Sequence, residues 1–78
     1  MTKNIITVFA SNHEIKINSS VENIKNYTIY NVLGQILVAK NNVNTNELIV
    51  GSIIENNQAL IVKIILENGQ TVSKKIIF

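Results

Sequence analysis

Residues 59–78 carry two runs rich in β-branched residues on either side of a reverse-turn signal, Asn68-Gly69. An Asn-Gly pair in this setting is the strongest short-range indicator of a β-hairpin, because both residues adopt positive φ at little steric cost. The second run continues to Phe78, so the sequence predicts that the chain ends on a strand and not on a loose tail. This hairpin is the strongest structural signal in the sequence.

The register of the hairpin follows from the alternation of its apolar residues. A two-residue loop would place Lys63 opposite Lys74 and would set apolar residues of the first strand against polar ones, which is unfavourable. A loop with one more residue avoids both faults. It gives the pairs Leu66–Val72, Ile64–Lys74, Val62–Ile76 and Leu60–Phe78. The sequence therefore predicts a three-residue or bulged turn at Asn68 and Gly69, with Lys74 on an edge strand.

Five further segments have the alternation or the β-branched composition of short strands. They cover residues 5–9, 14–18, 26–30, 36–40 and 47–50. Gly34 is the expected positive-φ residue of the turn before 36–40, and 51–58 is a loop with or without a helical turn. Seven short strands at about ten-residue spacing predict an all-β fold, a small seven-stranded antiparallel Ig-like β-sandwich. Residues 1–78 are expected to form this single domain.

Composition limits what can stabilise such a domain and what it can bind. The 78 residues include no Cys, so stability must come from burial of the 46% apolar residues, dominated by Ile and Val. The net charge of +2 comes from Lys and Glu without any Arg, and we expect no nucleic acid partner. The apolar runs have strand length, so no integral membrane segment is expected. The start of the chain lacks signal-peptide features, and an export signal would belong to a longer parent chain.

Residues that could carry catalysis are few and dispersed. His13 is the single His, and its place in a turn beside Asn12 and Glu14 predicts a solvated side chain. The Glu residues form no carboxylate pair, and neither a nucleophile motif nor a phosphate-binding glycine loop is present. We therefore expect no enzyme, no catalytic residues, no cofactor and no metal site.

Two tyrosines leave a binding function open. Tyr27 and Tyr30 could stack on sugar rings, although strand alternation puts them on opposite faces, with one expected in the core. A carbohydrate-binding or adhesive module of a surface protein is therefore the alternative function.

The order of several short motifs resembles the C-terminal sorting domains of proteins secreted by the type IX secretion system of Bacteroidetes. Residues 21–24, Val-Glu-Asn-Ile, and 27–35, Tyr-Thr-Ile-Tyr-Asn-Val-Leu-Gly-Gln, are similar to the "iYdvlGq" core of that family. Residues 57–64, 66–70 and 73–78 resemble its closing hairpin and its basic-then-apolar last residues. Two departures indicate a variant subtype. Phe-Ala-Ser-Asn at 9–12 replaces Pro-Asn-Pro, and Gln-Ala-Leu at 58–60 replaces Gly-x-Tyr.

The resemblance implies that the domain is a C-terminal secretion signal for an N-terminal cargo domain of the same parent chain. The type IX machinery would recognise the folded domain in the periplasm and pass the cargo across the outer membrane, so that it is secreted or held at the cell surface. A receptor can dock on a pre-folded sheet edge at little ordering cost. The residues expected to carry translocon recognition are Lys74, Lys75, Ile76, Ile77 and Phe78. Those expected to shape turns are Gly34, Asn68 and Gly69.

Overall fold

The computed structural model describes residues 4–78, all in strands, turns and loops. The seven strands are β1 (Ile6–Ser11), β2 (Glu14–Ser19), β3 (Ile24–Asn31), β4 (Ile36–Lys40), β5 (Glu47–Val50), β6 (Ala59–Leu66) and β7 (Thr71–Ile77). The predicted strands are confirmed, with the bounds of β4 and β5 as predicted, and residues 51–58 form a loop without a helical turn. Residues 1–3, on which the expected lack of a signal peptide partly depends, lie outside the described residues.

The strands form two antiparallel sheets that pack as a small sandwich. Their orders are β1-β2-β5 and β4-β3-β6-β7. In the constant-type immunoglobulin arrangement the fourth strand lies beside the fifth, in the sheet that contains the first strand. Here β4 pairs with β3, so the fourth strand has moved to the other sheet. The predicted Ig-like sandwich is confirmed in this switched form.

The core lies between the inner faces of the two sheets. Strand β2 buries every second residue, and β6 does the same over its whole length, because alternate side chains of a strand point to one face. Full burial of an Ile, Val or Leu side chain stabilises the fold by about 1.5–3 kcal/mol. The buried apolar residues are Ile6, Ile15, Ile17, Ile24, Tyr27, Ile29, Val50, Leu60, Val62, Ile64, Leu66 and Phe78.

The β3–β4 connection is a three-residue loop closed by Asn31 and Gln35. The N–H of Asn31 donates to the carbonyl of Gln35 over 3.0 Å, and the N–H of Gly34 donates to the carbonyl of Asn31 over 3.0 Å. Gly34 has a φ of 83°, as predicted. The side-chain oxygen of Asn31 also accepts hydrogen bonds from the N–H groups of Leu33 and Gln35. Because this conformation suits Gly at the third loop position, the turn is specified locally.

The β6–β7 connection has the same form, and the predicted register of this hairpin is wrong. The loop has three residues as predicted, but they are Glu67, Asn68 and Gly69, since the N–H of Leu66 donates to the carbonyl of Gln70 over 2.9 Å. The predicted pairs place Gly69 at the second loop position, whereas its φ of 90° suits the third. The observed pairs are Ile64–Val72, Val62–Lys74 and Leu60–Ile76. The shift of two residues leaves every side chain on its predicted face.

Asn4 fixes the turn that follows β2. Its side-chain oxygen accepts hydrogen bonds from the hydroxyls of Ser19 and Ser20, at 3.0 and 3.3 Å. It also accepts from the backbone N–H groups of Val21 and Glu22, at 2.8 and 3.2 Å. One amide oxygen thus satisfies four donors, which ties the start of the described chain to the exit of β2.

Candidate functional site

Strand β7 forms one edge of the four-stranded sheet and, among residues 4–78, pairs with β6 alone. Two backbone hydrogen bonds show which residue pairs of β6 and β7 are hydrogen-bonded. The N–H of Leu66 donates to the carbonyl of Gln70 at one end, and the N–H of Phe78 donates to the carbonyl of Gln58 over 2.7 Å at the other. Antiparallel pairs alternate between bonded and non-bonded. This alternation turns the backbone N–H and C=O groups of four residues away from β6, namely Thr71, Ser73, Lys75 and Ile77. The edge therefore offers a regular row of donors and acceptors.

The five residues predicted to carry recognition are split between surface and core. Lys74, Lys75 and Ile77 are exposed, with Ile77 at 62%. Ile76 is partly buried against the core, and Phe78 is only 3% exposed. Of these five side chains a partner can thus reach the two lysines and Ile77, whereas Phe78 packs inside the sandwich.

The loop 51–58 holds Phe78 in place. The N–H of Asn56 donates to the carbonyl of Phe78 over 2.9 Å, in addition to the bond between Phe78 and Gln58. The side chain of Gln58 reaches back to the carbonyl of Ile54 over 3.3 Å. Strand β7 itself ends at Ile77, one residue earlier than the sequence predicts. Backbone bonds and burial together keep this end of β7 rigid.

The lysine side chains of β7 are not paired with a carboxylate in the described part of the chain. Within residues 4–78, neither Lys74 nor Lys75 forms an ion pair, and Lys74 projects from the inner face at the open edge of the sheet. The predicted edge position of Lys74 is confirmed. The three predicted turn residues all lie in turns, although Gly69 takes the third loop position instead of the predicted second, and Asn68 accepts a hydrogen bond from the N–H of Gln70 over 2.9 Å.

His13 makes a contact that sequence reasoning missed. Its Nδ1 lies 2.7 Å from Oε1 of Glu55, so the β1–β2 turn touches the loop that holds Phe78. The side chain of His13 is 84% exposed, as a solvated residue would be. Asn12 and His13 both have positive φ, 53° and 63°, which is the geometry of a two-residue hairpin turn. The separation of 42 residues left no local signal for this pair.

A shallow groove of about 660 Å³ lies on the outer face of the three-stranded sheet. Phe9, Lys16 and Ile49 form one cross-strand row there, with Phe9 45% exposed. On the neighbouring row, Asn18 donates a hydrogen bond to the carboxylate of Glu47 over 3.2 Å. The groove combines an aromatic surface with polar groups, and strand alternation in the sequence could have revealed it.

The tyrosines take the places that alternation predicts. Tyr27 is 6% exposed in the core, and burial raises its pKa above the usual value. Tyr30 is half-buried on the opposite face, so the two rings form no common platform. Residues 4–78 place no group of three or more His, Cys, Asp or Glu side chains where they could hold a metal ion.

Comparisons with known proteins identify a family but no activity. Across 4–78, no helix has the length and apolar content needed to span a membrane. No curated protein matches the chain. The whole sequence, residues 1–78, matches the family described as "Domain of unknown function (DUF8694)". The chain therefore belongs to the DUF8694 family.

Proposed function

We propose that this chain is a sorting domain that directs a cargo protein through the type IX secretion system. The motifs at 21–35 and 57–78 support the proposal by resemblance. The observation that carries it is the edge strand β7, which has outward backbone groups and exposed lysines and whose end is anchored by the buried Phe78. A partner that adds a strand to this edge gains main-chain hydrogen bonds without first ordering the domain.

The working surface of β7 would be its exposed residues. Lys74 and Lys75 would steer an acidic receptor, and the outward N–H and C=O groups of Lys75 and Ile77 would pair with it. Phe78 and Ile76 would act indirectly, because their burial fixes the strand. The domain would reach the periplasm with its cargo and leave with it for the cell surface or the medium.

The test is a reporter with a signal peptide fused to residues 1–78, expressed in a Bacteroidetes host with the type IX machinery. Deleting residues 74–78 would remove the core residue Phe78 and could unfold the domain. Surface variants therefore test recognition more directly. Lys74→Glu combined with Lys75→Glu is expected to lower secreted reporter about tenfold, equivalent to ~1.4 kcal/mol of recognition energy. Lys25→Glu combined with Lys40→Glu makes the same charge change elsewhere and is expected to secrete like the unaltered fusion.

Two results would contradict the proposal. The first is a reporter that stays in the periplasm although the fused domain is folded. The second is equal secretion by both double variants, which would show that the charges of β7 are not recognised. Circular dichroism of each purified domain separates loss of folding from loss of recognition.

A second function, carbohydrate binding, is supported by the groove on the other sheet. Phe9 offers an exposed ring, and the Asn18–Glu47 pair offers a fixed donor and acceptor one row away. Sugars are bound by this combination of an apolar face with a few oriented polar groups. A glycan array probed with the domain and with Phe9→Ala tests it. Binding that Phe9→Ala abolishes would favour this function, and an array without signal would remove it.

A further inference from the structure

The outer face of the four-stranded sheet carries a continuous apolar row. Ile36 of β4 is directly opposite Tyr30 of β3, Tyr30 is opposite Ile61 of β6, and Ile61 is opposite Lys75 of β7. At a strand spacing of about 4.8 Å the three apolar residues span about 10 Å, and Lys75 ends the row about 14 Å from Ile36. Ile36 is 61% exposed and Ile61 39%. Apolar side chains in direct register across a sheet form a contiguous surface, which single exposed residues do not.

The charges on this face have one sign. In the described part of the chain, the cross-strand registers place two charged residues on it, Lys63 and Lys75, and both are exposed. The outer face of the other sheet is mixed, since Glu14 and Glu47 stand there with Lys16. The four-stranded face is therefore complementary to carboxylates.

We infer that this sheet face docks a protein partner whose surface has an apolar centre flanked by Asp or Glu. The inference deepens the proposed function and depends on it, because that partner would be the receptor of the secretion machinery. Ile36, Tyr30 and Ile61 would supply the buried centre of the contact, and Lys63 and Lys75 its charged rim. Lys75 belongs both to this face and to β7, so the face continues the edge already described.

Other occupants fit the face less well. A second copy of the chain would set lysines against lysines, which is unfavourable. An anionic membrane is usually bound by clusters of about four to eight basic residues, and this face has two. An acidic protein surface needs only the two charges and the apolar row.

The experiment uses the secreted reporter fusion with changes outside 74–78. Ile36→Ser and Lys63→Glu alter the face. Ile49→Ser and Lys16→Glu make the same changes on the outer face of the other sheet, where Ile49 is 58% exposed. The two face variants are expected to secrete about tenfold less reporter than the unaltered fusion. The two control variants are expected to secrete normally, and thermal unfolding of all four domains is expected to be unchanged.

Each result that differs from the expected one contradicts either the use of this face, its specificity or the sorting function. If the unaltered fusion is secreted and Ile36→Ser and Lys63→Glu secrete equally well, this face is not used and the sorting function stands. If the control variants lose as much secretion, the effect is not specific to the face. If the unaltered fusion is not secreted, the sorting function fails and the inference with it. Lys63→Gln replaces Lys63→Glu if the latter does not fold. Binding to phosphatidylserine vesicles that Lys63→Glu abolishes would point to a membrane instead.

Discussion

Val62 and Lys74 are direct cross-strand partners on the inner face of the four-stranded sheet, although Val62 is completely buried and Lys74 is exposed. The pairing is tolerated because β7 is an edge strand, where a long side chain can extend past the rim into water. An inward-pointing charge on an edge strand also obstructs pairing with another sheet. Lys74 therefore discourages unspecific pairing at this edge, whereas an acidic receptor that adds a strand would meet its charge with one of opposite sign.

Replacing Lys74 by Val is expected to make the domain self-associate. Val continues the apolar inner face to the rim and removes the charge that hinders edge-to-edge pairing. The unfolding free energy is expected to change by less than about 1 kcal/mol. Sedimentation velocity at rising protein concentration measures the association. Lys25→Val, an equal change at an exposed bulge residue of the central strand β3, is the control. Association by both variants would show that hydrophobicity alone is responsible.

Neighbouring residues at the end of β7 are expected to differ sharply in their contribution to stability. Phe78→Ala empties a core position and is expected to lower the unfolding free energy by about 3–5 kcal/mol. Ile77→Ala removes a side chain that is 62% exposed, and its effect is expected to stay below about 1 kcal/mol. Urea unfolding of both variants measures the difference. Equal effects would mean that Phe78 is not packed as described.

The glycines divide into two groups by backbone conformation. Gly34→Ala and Gly69→Ala are each expected to destabilise the domain by about 1–2 kcal/mol, because both require positive φ. Gly51 does not, and a Cβ there would meet the Glu14 side chain at an ordinary 3.5 Å. Gly51→Ala is therefore expected to be neutral or slightly stabilising. Thermal unfolding checks the order, and a large loss at Gly51 would contradict it.

Asn4 is expected to stabilise the domain through its side-chain oxygen. Asn4→Ala leaves the part-buried donors of Ser19 and Glu22 without their acceptor and is expected to cost about 1–3 kcal/mol. Asn4→Asp keeps the acceptor and puts a second carboxylate oxygen in place of a buried amide nitrogen that has no hydrogen-bond partner in the described chain. The Asp variant is therefore expected to unfold near the unaltered domain at neutral pH. Urea unfolding distinguishes the two variants, and equal losses would show that the oxygen is not the important group.

Tyr27 predicts how the domain responds to alkali. Burial raises its pKa in the folded state, so the unfolded chain ionises first as the pH rises past about 10. The unfolded state then binds fewer protons, and the unfolding free energy falls with pH by at most ~1.4 kcal/mol per unit from this group. Stability from neutral Tyr27 is complete below that pH. Urea unfolding between about pH 8 and pH 11 measures this fall in the unfolding free energy. Tyr27→Phe is expected to make the fall smaller, whereas Tyr30→Phe is expected to leave it as in the unaltered domain.

Alternation and turn chemistry were enough to predict the strands. The period of two in 14–18 and the position of Gly34 reflect interactions between near neighbours, and the structure follows both. Tyr27 and Tyr30 were separated onto opposite faces by the same alternation. The fold class could be predicted because each of these signals is local.

The details that sequence reasoning missed depend on contacts between distant residues or on one steric choice. The hairpin register turned on whether Gly69 takes the second or third loop position. The Asn4 contacts and the His13–Glu55 pair join residues far apart in sequence. Phe78 was expected to serve recognition, although the predicted register already set it opposite Leu60 on the apolar face, and the structure buries it in the core.

The bends at 31–35 and 66–70 share one backbone shape at opposite corners of the larger sheet. Val32 and Leu33, 68% and 80% exposed, stand at one corner where Glu67 and Asn68 stand at the other. Because the same loop conformation accommodates two apolar residues in one bend and two polar residues in the other, it does not require particular side chains at these positions. Both corners are thus natural attachment points for a fluorophore or an epitope tag, which could report on the domain in transit without disturbing its architecture.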